Sequence, residues 1–316
     1  MIEVRTNNGG LGEKVVVVSV TYNPDTAAFL AQMMAVAAMN CTSIVVDNGS
    51  SADFREWLSR NTNGDMRVIL LEGNRGIAAA QNVGVNAAQD CIGSHVLMLD
   101  HDSVPRPGMV GHLLRAMNDK VSQGMQVAAV GPLWVDAQSG RAAPFVRLGW
   151  FGYRRAACSE APQAVIEADL LLSSGMLIDL RAWNAIGPMR EELFVDHVDT
   201  DWCLRARSAG WSLYGVCGAM LDHSLGERAI RIWAGRMRTL YVHSPERLYY
   251  YLRNAIALVK FDSTPARWPL AELPRACGLL AMYLLFVAPR LSYLSMICRA
   301  VRDGVSGHLG PLNRAP

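Results

Sequence analysis

The chain has 316 residues, with 30 Lys and Arg against 28 Asp and Glu and a net charge of +2, so it has no general electrostatic attraction to nucleic acid and any basic patch must be local. Its 51% hydrophobic content suits one large α/β domain or two smaller ones. Seven scattered cysteines, without a CxxC pair or regular spacing, predict buried thiols in a reducing compartment and argue against a disulfide framework or zinc site.

Residues 1–12 are polar and rich in Gly and Asn, and residues 1–14 are expected to form a flexible lead. The lead lacks the apolar core of a secretion signal, which predicts a cytosolic catalytic part. Val15–Thr21 is an almost unbroken β-branched run, the mark of a strand buried on both faces. Tyr22-Asn23-Pro24-Asp25 breaks it and starts a helix, and the following Ala, Met and Leu residues sustain that helix to about Met39. A second strand at 43–46 runs into Asp47-Asn48-Gly49-Ser50, and Ser51 caps a helix reaching Arg60. A third strand at 67–71 precedes Gly73-Asn74-Arg75-Gly76, which opens a helix at Ile77. The fourth, from His95, ends in Asp100-His101-Asp102. This alternation predicts a mainly parallel, doubly wound sheet whose polar turns gather along one edge.

Beyond residue 127 the pattern weakens. A strand returns at 127–130, residues 136–161 read as loop, and residues 170–178 read as a strand interrupted at Gly175, where a packing bulge and a close ligand approach are both open. Asp199 opens a helix ending at Gly210, with Asp201 placed four before Arg205 for a surface ion pair. Three successive tyrosines, Tyr249 to Tyr251, cannot share one helix face, and Arg247 or Arg253 could meet a phosphate. Residues 276–289 form an uncharged apolar run, shorter than the roughly 20 residues of a spanning helix. With Pro289 as a break, residues 271–303 are expected to form two interfacial helices at a membrane surface, with Arg275, Arg290, Arg299 and Arg302 near headgroups. Packing on the catalytic domain or on a second copy would explain the same pattern.

Side chains two apart on an extended segment share a face, so Asp100 and Asp102 could present oxygens to one hard cation, although a solvated turn would show the same residues. Asp47 could accept the ring N–H of a pyrimidine beside the Thr21-Tyr22-Asn23 turn, or close an Asx-turn of its own. Gly73 to Gly76 could bring backbone N–H groups, the Arg75 guanidinium and a helix N-terminus to a diphosphate. Neither GxGxxG nor GxxxxGK[ST] occurs, so the usual dinucleotide and P-loop signatures are missing.

Taken together and in order, Thr21-Tyr-Asn23, Asp47-Asn-Gly-Ser50, Asn74-Arg-Gly76 with Asn82, Asp100-His-Asp102, Ser174-Gly175, Asp199-Thr-Asp201 with Leu204-Arg205, and His223 before Gly226 resemble the family-2 glycosyltransferases of GT-A fold. Residues 247–254 resemble their bacterial rhamnosyltransferase branch. The likeness spans about 15–260, leaving 261–316 as a helical C-terminal region.

The resemblance implies an inverting, metal-dependent enzyme with Asp199 as catalytic base. Thr21, Tyr22, Asn23, Asp47, Asn74, Arg75, Gly76, Asn82, Asp100 and His101 would line the nucleotide-sugar site. Asp100, Asp102 and His223 would hold Mn²⁺ or Mg²⁺, with the histidine following the pattern of galactofuranosyl enzymes. The implied donor is dTDP-L-rhamnose or a UDP-sugar, since Asp47 cannot separate thymine from uracil. The acceptor would be a polysaccharide or lipid-linked oligosaccharide. The enzyme would sit on the inner face of the cytoplasmic membrane, possible as a homo-oligomer and without nucleic acid as a partner. A sugar-1-phosphate nucleotidyltransferase would need a Gly-rich basic loop after its first strand, where this chain has Thr21-Tyr22-Asn23-Pro24. A non-catalytic nucleotide-sugar-binding module would not need Asp199.

Overall fold

The computed structural model describes residues 14–62, 66–91, 93–137, 140–150, 152–158, 164–223, 228–233 and 237–312. The N-terminal lead 1–12 and Gly226 lie outside the described residues. The first half alternates as its pattern predicts: β1 Val15–Thr21, α1 Thr26–Ala37, β2 Thr42–Asp47, α2 Ala52–Asn61, β3 Met66–Leu70, α3 Ile77–Asp90 and β4 His95–Asp100. There follow β5 Ser103–Pro105, α4 Met109–Ser122, β6 Val127–Asp136, β7 Phe145–Leu148, β8 Tyr153–Ala156, β9 Val165–Ala168, β10 Leu177–Asp179, α5 Leu180–Ile186, α6 Val198–Ser208 and β11 Ser212–His223. The chain closes with β12 Arg228–Trp233, β13 Met237–Val242, α7 Pro245–Leu258, α8 Arg267–Phe286 and α9 Arg290–Ser306.

A nine-stranded sheet runs β3-β2-β1-β4-β10-β6-β11-β5, with β9 also on β11. β3, β2, β1 and β4 are parallel, β10 is antiparallel between β4 and β6, and β11 is parallel to β6. Every residue of β1 is buried, as its β-branched run requires of a central strand. The Ala-rich face of α3 lies so close to the sheet that a Cβ on Gly84 would stand 2.2 Å from Val18 Cγ1. Asp25 and Ser51 accept the Ala28 and Phe54 amides and cap α1 and α2.

Several expectations for the second half are corrected. Residues 136–161 contain the β7–β8 hairpin as well as loop; its short alternating runs, rich in Arg and Gly, conceal a strand pattern. Residues 170–178 are strand only at their end. Gly175 turns at φ +83°, and a Cβ there would meet Pro132 Cγ at 2.4 Å, so the chain makes a closely packed turn there before β10 begins. Cys158 and Cys217, 59 residues apart, are disulfide-bonded, although Cys41, Cys91, Cys203, Cys277 and Cys298 are free thiols. Spacing could not show this pair because β11 brings Cys217 to the chain beyond β8 only in three dimensions.

The C-terminal helices break at Pro289 as expected, but α8 begins at Arg267 and reaches 20 residues. Among the described residues it is the one helix long and apolar enough to cross a membrane by length and composition. The arginines expected at headgroups have protein partners: Arg275 pairs with Glu272, Arg299 and Arg302 pair with Asp303, and Arg290 donates to the Leu285 carbonyl. α9 packs on α7, where Tyr249 donates to Asp303 and a Cβ on Gly304 would meet the Arg253 carbonyl at 2.9 Å.

Candidate active site

Three turns meet at the carboxyl edge of β1, β2 and β3. Asp47 is fully buried and accepts from Thr21 Oγ1 at 3.1 Å, the Ser50 amide at 3.1 Å and Arg55 Nε at 2.9 Å. A carboxylate has about four lone-pair sites, and three donors already engage Asp47, so it organises this edge. Asn23 accepts from the Ser51 amide, and its own amide donates to Ser50 Oγ. Asn48 accepts from the Arg75 amide and donates to Asn74, which in turn accepts from the Gly76 amide. Tyr22 is 44% exposed and offers an aromatic face, and the Arg75 side chain is exposed. Asn82 does not join this edge: it exchanges hydrogen bonds with the Met189 backbone and donates to Glu191.

Asp100-His101-Asp102 follows β4. Gln32, buried on α1, donates to the Asp100 and Ser103 carbonyls at 2.5 and 2.6 Å and fixes this turn. Ser174 Oγ accepts the Asp100 amide and bonds Ser103 Oγ. Burial, then the charges of Asp102 and Asp199, push the Asp100 carboxyl up to about 7, opposed by Arg247. His101 bonds the Val20 backbone, and burial pushes its pKa down.

Antiparallel pairing of β5 and β11 sets His223 opposite Ser103. Its Nδ1 lies 2.8 Å from Ser103 Oγ and 3.4 Å from Asp102 Oδ1, and its ring lies 4.4 Å from that of Trp134. A cation fits this edge in part. Mutually repelling carboxylates favour a positive charge between them, and an imidazole held at Nδ1 by a carboxylate is the arrangement that prepares Nε2 for ligation. Among the described residues, however, no three His, Cys, Asp or Glu side chains form a ready cluster, so Asp100, Asp102 and His223 are not assembled as the expected triad.

Asp199 stands in the first turn of α6, with Oδ2 accepting from the Ser173 amide at 3.3 Å and Oδ1 from the Thr200 amide at 2.7 Å. Burial raises its pKa and these amides oppose the rise. Its charge contributes to raising the Asp100 carboxyl, and its side chain lines a cavity of about 350 Å³ between β6, β7, β8 and α8. Asp201 is buried rather than at the surface, bound by Arg190 at 3.0 Å and Arg205 at 2.8 Å, and anchors the helix. Asp196, three residues before Asp199, lies 3.5 Å from Arg247 Nε.

The two arginines of α7 part company. Arg247 is half exposed and faces Asp196, Asp100 and His223. Arg253 is buried and binds the Leu193 and Gly310 carbonyls. Asn254 beside it donates to the carbonyls of Leu193, Val195 and Asp196. This clamp was not expected from sequence; nor were Gln32, Arg55 and His197. Gln32 alone leaves a signal, as a polar residue on the buried stripe Phe29-Gln32-Met33-Val36.

With this geometry in hand, the likenesses of the chain become informative. A model of glycosyl transferase family 2 matches residues 16–160. The dTDP-rhamnosyl transferase RfbF of Shigella flexneri is 25% identical over 300 residues, 95% of this chain and 98% of that protein. Both likenesses support a rhamnosyltransferase-like glycosyltransferase of family 2. This glycosyltransferase has the GT-A fold. It superposes with a TM-score of 0.58 and 13% identity on GalNAc-T7 crystallised with UDP, GalNAc and Mn²⁺, covering 94% of this chain and 58% of that one. S. aureus TarS 1–349 in complex with UDP-GlcNAc gives 0.55 and 16%, covering 93% and 81%. In open α/β sheets ligands gather outside the carboxyl ends of the strands, which is where Asp47 and Asp100 stand.

Proposed function

We propose that this enzyme transfers L-rhamnose from dTDP-L-rhamnose, with inversion, to a hydroxyl of a polysaccharide or lipid-linked oligosaccharide. The observation that supports the reading is that Asp199 lines a cavity while its charge bears on the Asp100 carboxyl. A base with both neighbours is suited to take a proton from an acceptor in the cavity close to a donor at Asp100.

The acceptor hydroxyl gives its proton to Asp199 as it attacks the anomeric carbon. The Ser173 and Thr200 amides orient the carboxylate, and its raised pKa makes it a stronger base than an exposed aspartate. Tyr22 and Asp47 receive the base of the nucleotide, while Arg75, Arg247 and the N-terminus of α3 face its diphosphate. Asp102 and His223, which lie together, would contribute ligands to Mn²⁺ or Mg²⁺, with Asp100 brought in only by a shift of the turn, and the ion would supply positive charge to the departing nucleotide diphosphate. Leu273, Leu285, Phe286 and Leu291 are exposed on α8 and α9 and support peripheral attachment at the cytoplasmic face of a membrane.

The test is turnover across dTDP-L-rhamnose, UDP-galactofuranose and UDP-GlcNAc, with and without chelator. The dTDP-sugar should be preferred, EDTA should abolish transfer, and Mn²⁺ or Mg²⁺ should restore it. Asp199→Asn should lower turnover by about 10²–10⁴ while retaining dTDP affinity. Unchanged turnover in that variant would reject Asp199 as the base, and full activity after thorough metal stripping would reject the ion.

A further inference from the structure

The cavity beside Asp199 is lined by a histidine, His197, one of whose ring nitrogens has no partner in the fold. At about 350 Å³ it falls at the small end of ligand clefts, which run to roughly 300–1,000 Å³. Trp134, Phe145 and Tyr153 give it aromatic faces, and His197 lines it together with Asp199. Burial of stacked aromatic rings beside a few polar groups suits the apolar face of a sugar ring better than a free anion.

His197 is held there deliberately. Asp196 and His197 both adopt left-handed backbone, at φ +58° and +59°, a conformation that non-glycine residues hold only when their surroundings enforce it. Asn254 ties down the preceding carbonyls, the Tyr251 ring stacks on the imidazole at 5.0 Å, and Trp268 meets it edge-on at 5.7 Å. Its Nδ1 lies 3.4 Å from Thr200 Oγ1, whereas Nε2 is buried without a hydrogen-bond partner. An orphaned polar atom of this kind costs about 1–3 kcal/mol, a cost that a bound hydroxyl would remove. Burial pushes the pKa of the ring down to about 4, so it is neutral at working pH and suited to a neutral partner.

The neighbouring polar group on α8 is already satisfied. Glu272 receives Tyr153 OH at 2.5 Å, Tyr251 OH, and Arg275 at 2.7 Å. It stiffens the wall and has little capacity left to select a ligand.

We propose that His197 reads a hydroxyl of the acceptor sugar, adjacent to the hydroxyl that Asp199 deprotonates, in the cavity walled by the β7–β8 hairpin and α8. The assignment rests on the transferase reading for the identity of the ligand, but the pocket can be tested without turnover. Full-length protein carrying ¹⁵N-histidine is titrated with the methyl glycosides of rhamnose, glucose, galactose and N-acetylglucosamine. The His197 resonances are assigned by their loss in His197→Gln. At least one sugar should move the Nε2 signal.

Used as acceptor, that sugar should show a KM about tenfold higher in His197→Phe, which keeps the stacked ring but removes both nitrogens. His197→Gln should recover part of the loss, and dTDP affinity should be unaltered in both variants. A sugar that shifts His197 but is never glycosylated from any nucleotide sugar would keep the pocket and overturn the transferase reading. Turnover with a silent His197 and an unchanged acceptor KM in His197→Phe would overturn the pocket assignment alone. A panel that moves no His197 signal and supports no transfer would overturn both. The titration of unmodified protein holds even if a variant fails to fold.

Discussion

Asn254→Ala tests how the base is held. The Asn254 side chain is fully buried; its Nδ2 donates to the carbonyls of Leu193, Val195 and Asp196 at 2.9, 2.7 and 2.9 Å, and its Oδ1 accepts Arg253 Nε at 2.9 Å. Leu193 keeps a second donor in Arg253, at 3.0 Å. The substitution therefore strips the Val195 and Asp196 carbonyls and Arg253 Nε of these contacts. At about 1–3 kcal/mol for each buried group, with water recovering some, the loss should be about 3–5 kcal/mol. That is a large share of the roughly 5–15 kcal/mol that holds a protein folded. The melting temperature should drop by about 10 °C. Well below that temperature, turnover should still fall by about 10²-fold, because Asp196 and His197 leave their left-handed conformations and shift Asp199 by a fraction of its working distance. Urea unfolding and donor turnover on the same preparation give both numbers. Wild-type stability with wild-type turnover would refute the clamp. Lost stability with full turnover in the folded fraction would show that it supports the fold but not the base.

Two further outcomes follow from buried groups. The pKa of His197 is about 4 in the fold against an ordinary 6.5, so the unfolded chain binds the extra proton between those values. Stability from this group is complete above pH 6.5 and is lost as pH falls toward 4, by at most about 3 kcal/mol. His197→Phe should flatten that limb in urea titrations against pH, and identical limbs would refute the assignment. The Cys158–Cys217 bond closes a loop with a sequence separation of 59, so reduction should destabilise the protein by about 4 kcal/mol. Thiol counting on denatured, unreduced protein should find five cysteines; finding all seven would refute the bond.

The first hundred residues were legible because each signal there is local. β1 is buried on both faces and its composition says so, Ser51 caps its own helix, and Asp100 ends its own strand. What could not be read depends on distant partners. Asn82 has the residue type and spacing of a diphosphate contact, yet residue 189 claims both ends of its amide. Asp201 looked like half of a surface pair because Arg205 is four residues on; the second partner, Arg190, comes from a different segment, and the two arginines together bury Asp201. The β7–β8 hairpin hid because its four-residue strands are too short for alternation to register. Arg247 and Arg253 are indistinguishable in sequence, and the carbonyls of Leu193 and Gly310, distant in the chain, claim Arg253 while Arg247 pairs with Asp196.

Phe194 shows why donor loop and base cannot be positioned independently. Its carbonyl accepts the Ile77 amide at 2.8 Å, at the N-terminus of α3, and its ring stacks on Tyr250 at 5.1 Å. Gly76 turns at φ +86°, and a Cβ there would lie 2.5 Å from that carbonyl and 2.7 Å from the ring. The sequence offers Gly76 as a close backbone approach to a diphosphate, but Phe194 excludes a side chain even before any ligand arrives. A residue with a Cβ at 76 must move either the loop that faces the diphosphate or Phe194. Moving Phe194 pulls on the carbonyls held by Asn254 and through them on His197 and Asp199. The 73–76 loop and Asp199 thus both hang from residues 193–197, and α7 is what keeps that segment in a conformation its own residues do not favour.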